Sequence, residues 1–211
     1  MSFRYAVLAT LVIAVFASSA VAGDGPPGSS PENPITEPGP PVYGQTAVDI
    51  WWRDGTSERV FTNELPSQAL NAATIAERAR ERAGGRGPNA RFRPKTIQEG
   101  TTACSSALAF PYKINGTTVG TNASVSCTPD VYYIGGSLYL YRSANLTLIG
   151  HQTKAGGTLS APRSSMVWAT SGGCLSSTWQ YHGQLLYNVI SGQNGGKSAP
   201  SQWAGPSWIS C

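Results

Sequence analysis

Only two side chains of this sequence, His151 and His182, are ordinary proton shuttles near neutral pH. Nucleophilic hydrolysis needs such a base beside a serine or cysteine, and a third group to orient the base. Across residues 101 to 211 the one carboxylate able to do so is Asp130, and no G-x-S-x-G elbow occurs anywhere. Glycoside hydrolysis usually takes two carboxylates flanking one bond, and this half of the chain carries one. Asp49, Asp54 or Glu58 would have to fold back from the N-terminal half to complete a site.

A zinc site wants three or four ligands. The cysteines Cys104, Cys127, Cys174 and Cys211 are separated by 23, 47 and 37 residues, which fits no zinc pattern. The sequence therefore assigns no catalytic residue, no metal ligand and no cofactor, and leaves contact surfaces to do the protein's work. The expectation is a non-catalytic binding or adaptor module in an extracellular assembly. The alternatives are a β-sandwich that binds cell-wall polymer or other carbohydrate, and a secreted hydrolase.

The N-terminal residues and the cysteines both point to export. Arg4 precedes an uncharged apolar run from Ala6 to Phe16, and Ala20-Val21-Ala22 supplies a small-residue cleavage site, so residues 1 to 22 read as a signal peptide. The run is too short to span a bilayer, which takes about 20 helical residues, and no later run approaches that length, so the mature chain has no transmembrane segment. An even number of cysteines in an exported chain reads as a disulfide framework. Of the three connectivities, the sequential one, Cys104 with Cys127 and Cys174 with Cys211, is preferred because adjacent strands bring successive cysteines together. Each bridge would contribute on the order of 3 to 4 kcal/mol by restricting the unfolded chain.

Charge is sparse, at 12% of residues, with a net formal charge of +4. From Val131 to Cys211 there is no Asp or Glu, against Arg142, Lys154, Arg163 and Lys197. The mildly basic C-terminal part favours acidic proteins, wall polymers or lipid headgroups.

The elements that must carry these surfaces fall in order along the chain. Residues 23 to 42 are proline-rich and read as an extended, disordered linker. Residues 43 to 65 read as an aromatic hairpin arm, with Thr46 to Trp52 and Ser57 to Phe61 flanking the turn at Asp54-Gly55. Alternation puts Val48, Ile50 and Trp52 on one face, and Asp49 with Trp51 on the other. Residues 66 to 100 read as a surface helix from Ser67 to Ala83, stopped by Gly84-Gly85, and then a basic linker. Its arginines could suggest nucleic acid, but export argues for a solvated face and against nucleic acid as a partner.

From residue 101 to 211, eight short apolar runs separated by Gly, Asn, Ser and Pro predict an all-β fold, a two-sheet antiparallel sandwich. Gly135-Gly136 is expected to be a hairpin corner. The segments Asn115-Gly-Thr117, Asn122-Ala-Ser124 and Asn145-Leu-Thr147 match the glycosylation pattern.

The arm is the best candidate for partner binding, through Tyr43, Val48, Ile50, Trp51, Trp52, Arg53 and Phe61, because aromatic anchors with a polar rim concentrate binding energy. For the carbohydrate reading the candidates are Trp179, Tyr181, Trp203 and Trp208, whose flat rings suit sugar faces.

Signal peptide, proline-rich linker, aromatic arm and a four-cysteine β domain containing Tyr132-Tyr133-Ile134-Gly135-Gly136-Ser137-Leu138-Tyr139 together resemble small secreted actinobacterial proteins. The layout is similar to the adaptor subunit of the umbrella toxin particles of filamentous actinobacteria. That resemblance implies other secreted subunits as partners. Residues 43 to 62 would enter the cleft of a lectin-like subunit, and the sandwich would contact the stalk protein. The helix and basic tract between them have no counterpart in it.

Overall fold

In the computed structural model the described residues are 33–70, 101–143 and 145–211. The expected signal peptide, the start of the linker, most of the expected helix and the basic tract lie outside them. The described chain is almost entirely antiparallel β-structure in two sheets. The first sheet contains β1 (Thr46–Trp51), β2 (Ser57–Thr62), β3 (Thr102–Leu108), β4 (Tyr112–Asn115), β5 (Thr118–Cys127) and β8 (Ser165–Gly173). The second contains β6 (Val131–Arg142), β7 (Thr147–Gly156), β9 (Trp179–Ser191), β10 (Gly195–Ser198) and β11 (Gln202–Ile209).

In the first sheet β2, β1, β3 and β5 follow one another, and β4 and β8 also pair with β5. In the second, β6 lies between β7 and β9, while β10 and β11 pair with successive stretches of β9. Leu108, Val125 and Trp168 of the first sheet bury against Ile134, Leu138, Leu185 and Val189 of the second. This is the sandwich-like core that the alternation predicts. Both disulfides form with sequential connectivity, Cys104–Cys127 joining directly paired positions of β3 and β5, and Cys174–Cys211 tying the residue after β8 to the C-terminal cysteine.

The expected hairpin exists, but it is a wall of the sandwich, because β1 pairs along its length with β3. A two-stranded hairpin is marginal in water, and this one has apolar groups on both faces. Trp51 enters the core between the sheets, whereas Val48, Ile50 and Trp52 pack on the other side with Ala69 and Ala103. Ala69 ends the short helix α1 (Pro66–Ala69), whose Pro66 carbonyl accepts a 2.6 Å hydrogen bond from Ser105 Oγ.

Asp49 shares Trp51's face and is 2% exposed. A bare carboxylate there would be costly, and Arg59 of β2 pairs with it through two bonds, Nε to Oδ1 at 2.7 Å and Nη2 to Oδ2 at 2.9 Å. Tyr187 of β9 donates its hydroxyl to Oδ2, so the ion pair also bridges the two sheets. Arg59 further donates to the Pro200 carbonyl at 2.7 Å and the Ser201 carbonyl at 3.2 Å, fastening the hairpin to the loop between β10 and β11.

Two further expectations are corrected. Residues 35 to 43 are docked: Ile35 bridges to Ile209, Tyr43 bridges to Ala109, and the Thr36 carbonyl accepts from the buried Lys113 ammonium. Gly135-Gly136 is no corner, since both residues lie inside the continuous strand β6. The glycines serve close packing. A Cβ on Gly136 would stand 2.5 Å from the Leu186 carbonyl oxygen, and the Gly136 carbonyl accepts a 3.1 Å bond from the Trp168 indole.

Two outcomes follow from this packing. Gly136→Ala is expected to destabilise the fold by about 1 to 3 kcal/mol, as overpacking does, while Gly135→Ala, facing only side chains at 3.1 Å, loses less; urea titrations of both variants check the order. Burial, and then the Asp49 charge, push the Tyr187 phenol well above its ordinary value of 10.0. The folded chain thus keeps a proton that the unfolded chain releases near pH 10. This contribution is complete below that pH and drains away as pH rises through and beyond it. Tyr187→Phe should cost about 2 kcal/mol at neutral pH and remove this group's share of the alkaline loss; unfolding curves at pH 8 and pH 11 test both.

Candidate functional site

The inward residues of β6 and β9 fill the core, so their alternate residues face outward from the second sheet. On β6 the outward set includes Ser137, Tyr139 and Tyr141, and on β9 His182, Gln184 and Leu186. Register then assembles a row across four strands. Trp203 of β11 stands opposite Gln184, Gln184 opposite Tyr139, and Tyr139 opposite His151 of β7.

The rings of this row lie nearly parallel to their neighbours. Centroids are 5.7 Å apart for Tyr141 and Trp203, 6.0 Å for Tyr139 and Tyr141, and 5.8 Å for Tyr139 and His151. Gln184 sits among them, accepting a 3.0 Å bond from the Tyr141 hydroxyl. Partial burial, and then the neighbouring Tyr139, raise the Tyr141 phenol above its ordinary range, so it remains a neutral donor at physiological pH. Beside the row, the Ser137 and Thr153 hydroxyls bond to each other at 2.7 Å. His151 is exposed, and Tyr139, Tyr141, Gln184 and Trp203 are half-buried. None of the five belongs to a core cluster.

The potential hydrolytic residues are not brought together. Asp130 accepts from Thr102 Oγ1 at 2.5 Å and from Thr128 Oγ1 at 2.7 Å, just before β6 begins. His182 faces Tyr141 near the far end of β6, ten residues along from Val131, or roughly 33 Å at strand rise. His151, opposite Tyr139, is nearly as remote. Burial lowers the His182 pKa, and its Nε2 is buried with no hydrogen-bond partner among the described residues. Of the arm's carboxylates, Asp49 is committed to Arg59 and Tyr187, and Asp54 accepts from Thr56 within the turn. Among the described residues no group of three potential metal ligands occurs, and no helix is long and apolar enough to cross a membrane.

Of the residues expected to bind a partner, Val48, Ile50, Trp51 and Trp52 are buried within this chain, none more than 8% exposed. The correction has a simple physical reason: the chain itself covers both apolar faces of the hairpin. Tyr43 and Phe61 remain 47% and 55% exposed, and Arg53 is exposed in the turn. Of the aromatic residues proposed for sugar binding, Tyr181 is fully buried, Trp179 lies under the Arg142 guanidinium, and Trp203 joins the ring row. Trp208 is half-buried on β11.

Sequence reasoning passed over Tyr139, Tyr141, His151 and Gln184 as a unit. The alternation Tyr139-Leu140-Tyr141 was its one local signal, and the partners from β7, β9 and β11 arrive only through strand order. No protein-family model matches the sequence, and no curated protein matches it.

Proposed function

We propose that this chain is a secreted, non-catalytic module that binds carbohydrate of the cell-wall type through the outer face of its second sheet. The row Trp203, Tyr141, Tyr139 and His151, with Gln184 among its rings, carries the reading. Sugar rings offer apolar C–H faces and a polar rim. Aromatic faces match the former, and hydroxyl and amide groups match the latter. A surface set on paired strands is also held in place before binding, which lowers the ordering penalty. The setting is supported by the N-terminal apolar run with its Ala20-Val21-Ala22 site and by two disulfides, which persist in oxidising compartments.

A second reading, the adaptor suggested by the resemblance, is favoured by a different observation. Strand β2 pairs only with β1 among the described strands and carries the exposed Phe61, so a partner strand could add along it. Entry of residues 43 to 62 into a lectin-like cleft would first require β1 to leave β3 and Asp49 to lose Tyr187. The edge of β2 is therefore the better surface for a lectin-like or other secreted subunit.

The readings separate in one experiment. Tyr139→Ala and Trp203→Ala are each expected to weaken binding to insoluble wall polysaccharide about tenfold, the equivalent of roughly 1.4 kcal/mol, while Phe61→Lys leaves it unchanged. Co-sedimentation measures this. Full wall binding by both ring variants, together with loss of co-purifying secreted proteins in Phe61→Lys, would overturn the carbohydrate reading in favour of the adaptor.

A further inference from the structure

The ring row does not end at His151. That side chain also lines a shallow cleft of about 380 Å³ whose other polar walls are Tyr112, Asn122, Gln152, Thr170 and Ser171. These residues come from β4, β5, β7 and β8, so the cleft lies across the line where the two sheets meet. The meeting is close because two glycines permit it. A Cβ on Gly150 of β7 would collide with the Ser171 carbonyl oxygen, and one on Gly172 of β8 would stand 2.5 Å from the Ile149 carbonyl oxygen. Two side chains stitch the same seam: Gln152 Oε1 accepts from the Ala169 amide at 2.9 Å, and Lys154 Nζ donates to the Val167 carbonyl at 2.9 Å. With β7 and β8 so joined, residues of both sheets line the same cleft.

We infer that the ring row and this cleft form one continuous track, and that its ligand is an uncharged polysaccharide chain lying across the strands rather than a single sugar. The inference rests on the carbohydrate reading and extends it. Length argues for a chain. From Trp203 on β11 through β9, β6, β7 and β8 to Asn122 on β5 the track crosses six strands, and its four steps between paired strands alone span roughly 19 Å at about 4.8 Å each, several times the width of a pyranose ring.

Charge argues for an uncharged one. The track offers rings, carboxamides and hydroxyls from Trp203, Tyr139, Tyr141, Gln184, Asn122 and Ser171, and no carboxylate, ammonium or guanidinium. Lys154, bonded to the Val167 carbonyl, and Arg142, over the Trp179 ring at 5.8 Å, keep their charge but line neither the ring row nor the cleft. An anionic polymer would find no counter-charge along the path, and neutral hydroxyl-rich units would find donors and acceptors at both ends of it.

Calorimetric titration of the full secreted chain with N-acetylglucosamine and cellulose oligomers of two to six β-1,4-linked units tests the track. At least one series is expected to tighten tenfold or more from dimer to hexamer. Asn122→Ala, and the obstructing variant Ala169→Lys on the exposed cleft wall, should abolish that tightening while leaving dimer affinity as in the parent, whereas Tyr139→Ala weakens both. Parent-like hexamer binding by both cleft variants, or affinity that stops rising at the dimer, would overturn the track and leave the ring row as the whole site. Absence of binding by both series would remove the carbohydrate reading itself, and the track with it.

Discussion

A carboxylate held between two β-sheets fixes the arrangement of everything around it. Asp49 sits where water is excluded, and breaking a buried pair by deleting one partner typically costs about 3 to 5 kcal/mol. Its partners come from two other strands, β2 through Arg59 and β9 through Tyr187. The N-terminal hairpin can satisfy Asp49 only where it stands, against β3 on one side and the second sheet on the other. Arg59 then reaches the carbonyls of residues 200 and 201, and Asn194 reaches the Trp51 carbonyl at 3.3 Å. One lateral side of the sandwich is closed by this polar set, while the opposite side is closed by the glycine-lined approach of β7 to β8.

These two closures decide where recognition can occur. Had the hairpin been free, Trp51 and Trp52 would be the strongest anchors in the molecule. Docked, they become core, one on each side of the first sheet. The outer face of the first sheet at β1 is covered by Pro66–Ala69 and its neighbours, with Ala69 fully buried. Among the described residues no element covers the outer face of the second sheet near Tyr139, and Tyr139, Tyr141 and Trp203 stay half-buried there. These half-buried rings stack on one another and belong to no core cluster, and that separates them from the equally aromatic but buried Trp51, Trp168 and Tyr181.

Much of this was legible in the amino-acid order, and what was not shares one cause. Alternation in Thr46 to Trp52 correctly divided Val48, Ile50 and Trp52 from Asp49 and Trp51, because side-chain parity is local. The cysteines pair in sequential order as expected, though only Cys104–Cys127 joins paired strands, while Cys174–Cys211 links the chain after β8 to the chain after β11, in different sheets. Sheet order is not local. Nothing in residues 46 to 51 announces β3 as a neighbour, some fifty residues away, and nothing near His151 announces Tyr139 or Trp203. Gly135-Gly136 misled because a glycine pair marks a turn by its torsional freedom and equally marks a strand where another backbone comes close; only the position of Leu186 and Trp168 distinguishes the two. The strand β10, four residues long with two glycines, carries no apolar alternation at all. The aromatic row was half visible in Tyr139-Leu140-Tyr141 and lacked only its cross-strand partners.

Tyrosine shows how one residue type serves both halves of the design. On the inward parity of β9, Tyr187 is buried, its hydroxyl locked to Asp49 and its ring in the core. On the outward parity of β6, Tyr139 and Tyr141 are held at one edge by neighbouring rings and by Gln184, with surface left for a ligand. The two uses are coupled mechanically, since β6 and β9 pair along their length and each inward contact that fixes Leu138, Leu140, Leu185 or Tyr187 also fixes the residue between. A core that admits one register at Asp49 therefore admits one register for the rings outside it. Precision at the outer face is in this way inherited from packing on the hidden one.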